Sequence, residues 1–66
     1  MNYLDRDKVR LHSLLKSRRG EAFSTVEIES MTGMDAHRIK AAGESLAAGN
    51  FIKAEEDYYW VAKNGN

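Results

Sequence analysis

The hydrophobic pattern of this 66-residue chain changes its period near residue 51, and this change constrains the fold more than any other feature. Before that point, apolar residues recur at spacings of three, four and seven, which is typical of amphipathic helices. After it, the runs FIKA and YYWVA are rich in aromatic and β-branched residues and flank the acidic turn Glu55-Glu56-Asp57. We therefore expect a mainly α fold that ends in a two-stranded β-hairpin over about residues 51–62.

The first predicted helix covers about residues 3–18. Asn2 and Asp7 are its candidate N-caps, because either side chain can accept a hydrogen bond from a backbone N–H at a helix start. Gly20 ends the helix, and the lysine and arginines before it suit the negative end of the helix dipole. The apolar stripe of this helix is formed by Leu4, Leu11, Leu14 and Leu15.

The second and third predicted helices cover about residues 25–32 and 36–48. The sequence Ser24-Thr25-Val26-Glu27 is a capping box for the former, and Asp35 is the expected N-cap of the latter. Gly33 lies between them, where a tight turn needs a positive φ. The core expected from these helices and the hairpin contains Leu11, Leu14, Leu15, Val26, Ile28, Met31, Ile39, Leu46 and Ile52, with Phe23 stapled against the second helix. Residues 63–66 form a polar tail that we expect to be frayed.

Composition excludes several classes of protein. The chain has no cysteine and two histidines, so neither a disulfide framework nor a metal site is predicted. No signal peptide or long apolar run is present, which favours a cytoplasmic protein without a membrane partner. No catalytic motif such as G-x-S-x-G or H-E-x-x-H occurs, so we expect no catalytic residue, no cofactor and no enzyme activity.

Residues 24–52, STVEIESMTGMDAHRIKAAGESLAAGNFI, resemble the winged helix-turn-helix segment of small bacterial and phage transcriptional regulators, in particular the fimbrial-operon regulator type. The Gly33-Met34 turn, the Asp35 cap and the passage into Phe51-Ile52 carry this resemblance, and YYWVAKNG is similar to the final strand of the wing. It implies that residues 1–66 form a single winged helix domain of three helices followed by a two-stranded wing. The chain departs from the family at Gly43, where a large apolar residue is usual, at Asn50, where glycine is common, and at its acidic wing tip.

The resemblance implies sequence-specific binding of double-stranded DNA, with the third helix in the major groove. The outward residues of that helix, together with two arginines at the end of the first helix, form the candidate interface: Ala36, His37, Arg38, Lys40, Ala41, Glu44, Arg18 and Arg19. Arg38 is the candidate reader of guanine, and Lys40 would neutralise a phosphate. Each of these residues is equally consistent with a solvated helix face.

Charge leaves a second function open. The net charge is zero, with +4 over residues 1–20 and −3 over residues 21–33, whereas nucleic-acid-binding domains are commonly basic. The alternative is a winged helix that serves as a protein-interaction module or inhibitor. Because so small a domain makes few base contacts, DNA binding would require a dimer or cooperative neighbours, so self-association and a protein partner are further expectations.

Overall fold

The computed structural model describes residues 2–63 and contains three helices and three short strands. Residues 64–66, which belong to the tail predicted to be frayed, lie outside the described residues. The elements are α1 (Tyr3–Ser17), β1 (Phe23–Ser24), α2 (Thr25–Thr32), α3 (Ala36–Ala48), β2 (Lys53–Glu55) and β3 (Tyr58–Trp60). The fold is therefore mainly helical with a small antiparallel sheet, as the change of hydrophobic period predicts.

The first helix begins at Asn2, whose side-chain oxygen accepts a hydrogen bond of 2.9 Å from the backbone N–H of Asp5. The other candidate N-cap, Asp7, lies inside the helix and is buried. The helix ends at Ser17, and Gly20 then takes a φ of 86° as the chain turns toward β1.

The capping box predicted for α2 is confirmed. The Ser24 hydroxyl accepts from the backbone N–H of Glu27 at 3.1 Å, and the Glu27 carboxylate accepts from the backbone N–H of Ser24 at 2.8 Å. Gly33 follows the helix with a φ of 76°, and Asp35 caps α3 by accepting from the backbone N–H of His37 at 3.1 Å. The two helices are therefore joined by a short turn built on local hydrogen bonds.

The sheet has three strands in the order β1-β3-β2, so the expectation of two strands is wrong. Phe23, predicted to lie in the connection before the second helix, and Ser24, its predicted N-cap, pair antiparallel with Tyr59 and Tyr58. A strand of two residues is too short to show a hydrophobic alternation, and its pairing partner lies far along the chain. The hairpin itself is shorter than predicted, since its strands cover residues 53–55 and 58–60.

The core lies between the three helices and the sheet, and its largest completely buried side chains are Leu11, Leu15, Ile28 and Ile39. The predicted burial of Val26 and Met31 is wrong, because these residues are 68% and 44% exposed. The inward face of α2 instead carries Thr25 and Ile28, and the two exposed residues lie well to either side of it. Leu14 is partly buried, Leu4 is largely exposed, and the rest of the core consists of Phe23, Met34, Ala42, Leu46, Ile52, Tyr59 and Val61.

At Gly43 the sheet packs closely against α3. A Cβ atom at this position would lie 2.5 Å from Cε1 of Tyr59, closer than two carbon atoms can approach. The glycine therefore provides the space in which the buried Tyr59 ring packs against the helix. Among residues 2–63, no helix is both long enough and apolar enough to cross a membrane.

Candidate nucleic-acid interface

The outward face of α3 carries four of the predicted interface residues. His37, Lys40, Ala41 and Glu44 are all exposed, and their spacing of three, four and seven places them in one stripe along the helix. The inward face carries Ile39, Ala42, Gly43 and Leu46. Ala36 is half-buried at the helix start and contributes little to the stripe. We call the four exposed residues the α3 stripe.

Arg38 does not point along the α3 stripe, because its guanidinium is held by α1. Its Nε and Nη2 atoms donate to the two carboxylate oxygens of Asp7, each at 2.8 Å. The same guanidinium lies over the ring of Tyr3, 4.9 Å from the ring centre. Two of the donors that a guanine contact would use are therefore engaged within the protein, whereas the sequence-based prediction takes Arg38 as a reader of guanine.

The Asp7 carboxylate is buried, with 3% of the residue exposed, and the hydrogen bonds from Arg38 favour its charged form. The hydrogen bonds from Arg38 lower the pKa of Asp7 below its usual value, burial acts in the opposite direction, and Arg10 and Arg6 lower it further. The same hydrogen bonds raise the pKa of Arg38. The pair thus fixes the start of α3 against α1 with both groups charged.

Sequence reasoning treated Asp7 as a candidate cap and missed this pair. One signal was present, since Asp7 precedes Leu11 by four residues and Leu15 by eight and so shares their inward face. Its partner was not identifiable, because Arg38 lies 31 residues further along the chain.

Two further arginines surround the α1–α3 pair. Arg6 and Arg10 are exposed and close enough to Asp7 to influence its pKa. Arg10 also donates from Nη2 to the backbone carbonyl of Thr32 at 2.9 Å, at the end of α2. These two side chains and Arg38 place three cations around one carboxylate, next to the turn between α2 and α3. We call Arg6, Arg10 and Arg38 the arginine cluster. Arg6 and Arg10 are not among the interface residues predicted from the sequence.

The structure does not bring Arg18 and Arg19 to the arginine cluster. They follow the C-terminal end of α1, a 15-residue helix that is about 22 Å long. Arg18 forms an ion pair with Glu21 at 3.8 Å, and Arg19 Nη1 lies 3.5 Å from the carbonyl oxygen of Ala62. At that end Arg19 lies near Gly49 and Asn50, which follow α3, whereas His37 lies at the start of α3.

The acidic turn between β2 and β3 is fixed against the start of α2. The Thr25 hydroxyl donates to the Asp57 carboxylate at 2.8 Å, and the Thr25 backbone N–H donates to the Asp57 carbonyl at 3.0 Å. Glu55 and Glu56 are exposed, and none of the three carboxylates is within ion-pair distance of a cation in the described part of the chain. This turn would repel a phosphate backbone.

Trp60, an aromatic residue that could stack on a base, is half-buried in β3 opposite Lys53. Residues 2–63 contain no group of three histidine or acidic side chains arranged to hold a metal ion. No protein-family model, curated protein or solved structure matches the chain.

Proposed function

We propose that this protein is a winged helix-turn-helix protein that binds duplex DNA, with α3 in the major groove and the β2–β3 hairpin as its wing. The order of the elements supports this proposal, since two helices joined by a short glycine turn are followed directly by a hairpin. A role in transcription regulation in the cytoplasm is the activity that best suits a small binding domain without catalytic motifs.

The observation that carries the proposal is the shape and chemistry of the α3 stripe. Ala41 lies at its centre, so the helix backbone can approach base edges closely, and Lys40 beside it can neutralise a phosphate. His37 is exposed near the helix start, where recognition helices contact bases. All four residues of the stripe are directed away from the core by the packing of Ile39 and Leu46 on the opposite face.

The arginine cluster supplies the flanking contacts in this proposal. Arg6 and Arg10 lie next to the turn that leads into α3, so a duplex bound at the start of α3 would pass near them. Arg38 acts as a positioning residue, because its pair with Asp7 sets the orientation of α3. Glu55 and Glu56 keep the wing tip away from phosphates, so the wing contributes little to affinity.

Binding of fluorescent duplex DNA of random sequence, measured at about 50 mM and about 200 mM salt, tests the proposal. Lys40→Ala should weaken binding to every sequence and reduce the salt dependence by about one counterion. Lys8→Ala is the matched control, since it removes the same charge from a helix but lies outside the arginine cluster and the α3 stripe. Equal affinities of the two variants would contradict the assignment of α3, and no binding at the lower salt concentration would contradict DNA binding itself.

A protein-interaction module is the second candidate function, and the acidic hairpin turn favours it. The turn is fixed by Thr25, exposes Glu55 and Glu56, and is adjacent to the exposed ring of Tyr58. A preordered acidic and aromatic surface is suited to a basic protein partner. The absence of duplex binding in the experiment above, together with unchanged folding, would support this second function instead.

A further inference from the structure

The charges of this neutral chain are separated between two ends of the sheet. At one end, Glu55, Glu56 and Asp57 adjoin the start of α2, where Glu27 belongs to the capping box. At the other end, the backbone N–H of Gly20 donates to the carbonyl of Val61 at 2.9 Å, which brings the C-terminal end of α1 to the end of β3. We call the first group the acidic end. The basic end consists of Lys16, Arg18, Arg19 and Lys63, where Glu21 pairs with Arg18.

A groove of about 520 Å³ lies at the basic end. Its lining includes the exposed side chains of Lys16 and Arg19 and the ring of Phe51, which is 59% exposed. The Phe51 ring is held in place because it lies over Gly49, where a Cβ atom would be 2.8 Å from its Cε2, and contacts the edge of His12 at a ring-centre distance of 5.7 Å. The groove therefore combines a fixed apolar surface with two cations, Lys16 and Arg19, that form no ion pair among residues 2–63.

Helix stabilisation explains only part of this arrangement. Lysine and arginine at a helix C-terminus interact favourably with the helix dipole, which accounts for the charges. It does not account for a large apolar ring that stays exposed among them. An apolar surface bordered by charges is typical of a docking site.

The acidic end has the complementary composition. Tyr58, 47% exposed, and Val26, 68% exposed, lie beside the carboxylates, since Tyr58 follows the turn and pairs with Ser24 just before α2. The hydrogen bonds between Thr25 and Asp57 fix the turn. Docking such a preformed turn loses little conformational entropy.

We propose that the occupant of the basic groove is the acidic end of a second copy of this chain. The two ends carry opposite charge and each exposes apolar side chains, so they complement one another in both respects. The net charge of zero removes the overall repulsion that would otherwise separate copies. Because the two ends are different surfaces, the contact is head-to-tail and leaves one end of each copy free for the next. This association requires no DNA and is independent of the proposed function.

The size of the protein sets the strength of the contact. The whole surface is 4435 Å², so a contact that used about a tenth of it on each copy would bury less than the roughly 1,200 Å² of a standard stable interface. The association is accordingly weak, reversible and sensitive to salt. The weight-average molar mass of the protein should rise continuously with protein concentration, without a plateau at the mass of a dimer.

Sedimentation equilibrium of the full chain over a range of concentrations, at low and at high salt, tests the proposal. Two double variants each remove charges from one end. Glu55→Gln with Glu56→Gln changes the acidic end, and Lys16→Gln with Arg19→Gln changes the basic end. Each variant alone should be monomeric at low salt. An equimolar mixture should form a one-to-one dimer that does not grow, since each variant keeps one intact end. Glu29→Gln, an exposed change on α2, is the control that should associate like the parent.

Three outcomes would overturn the proposal. The parent could stay monomeric at the highest concentration at low salt, or it could stop at a dimer, which would indicate a closed symmetric contact instead of a head-to-tail one. The two variants could also fail to form a dimer when mixed, although circular dichroism shows both folded. Three results together would support the head-to-tail contact. The parent should form larger assemblies with increasing concentration at low salt, these assemblies should dissociate at high salt, and the mixture of variants should stop at a dimer.

Discussion

Gly43→Ala is the perturbation whose effect follows most directly from the structure. An added Cβ would lie 2.5, 2.9 and 3.0 Å from Cε1, Cδ1 and Cζ of Tyr59. Three atoms of one rigid ring are affected, and Tyr59 is only 4% exposed, so the ring cannot move without displacing its neighbours. Such overpacking costs about 1–3 kcal/mol, and the arrangement of three contacts places this case near the upper value.

The helix propensity of alanine acts in the opposite direction. Replacing a glycine in a helix interior by alanine gains about 1 kcal/mol, so the net free energy of unfolding should fall by about 2 kcal/mol. For a domain of this size, that loss corresponds to a decrease in Tm of about 8–16 °C. Urea titration and thermal melting followed by circular dichroism measure both quantities. Glu44→Ala, an exposed neighbour on α3, is the control and should change stability by less than about 0.5 kcal/mol.

The second arm of this experiment removes the ring. In a Tyr59→Leu background the clash is absent, so Gly43→Ala should there raise stability by about 1 kcal/mol through helix propensity alone. The sign of the glycine substitution therefore reverses between the two backgrounds. An increase in stability on adding Gly43→Ala to the parent, or the same decrease in both backgrounds, would refute the reasoning.

Three further predictions concern the ion pair, the half-buried histidine and the capping box. Arg38→Ala should destabilise the protein more than Asp7→Asn in urea titrations at pH 7, because it leaves a buried carboxylate without its partner. Since the pKa of Asp7 is lowered, the stability that the pair provides is complete above the ordinary carboxyl pKa and is lost as the pH falls through the lowered value, so Asp7→Asn should flatten the decline in stability below about pH 4. The pKa of His12 is lowered, first by burial and then by two neighbouring cations, so the unfolded chain takes up the proton at a higher pH than the folded protein. The stability of the protein should therefore decrease below about pH 6.5. Thermal melts at different pH values should show a smaller decrease for His12→Gln. Ser24→Ala should cost about 1 kcal/mol in urea titrations, and an unchanged midpoint would contradict the observed capping box.

The candidate site was predictable where it depends on one helix. Helical period alone places His37, Lys40, Ala41 and Glu44 on one outward face of α3, and the structure has them there. The same period also placed Arg38 among them, but it gives no information on a partner from another helix. The engagement of Arg38 by Asp7, and with it the arginine cluster beside α3, depends on how α1 packs against α3.

Local interactions are what the sequence by itself determined about this protein. The cap at Asn2, the capping box at Ser24, the turn at Gly33 and the cap at Asp35 each involve residues within a few positions of one another. Their patterns are therefore visible in any short stretch of the chain, and they set the start of all three helices.

Only the tertiary structure decided the pairings between residues that are distant in the chain. Phe23 joins the sheet because β3 lies beside it, and Gly43 accommodates a ring that comes from residue 59. Val26 and Met31 are exposed because the elements that pack against α2 cover only the face that carries Thr25 and Ile28. A helix of about two turns is too short for the spacing of its apolar residues to identify that face. In each case the deciding contact is set by the packing of whole elements against one another, and local sequence patterns carry no record of which elements will meet.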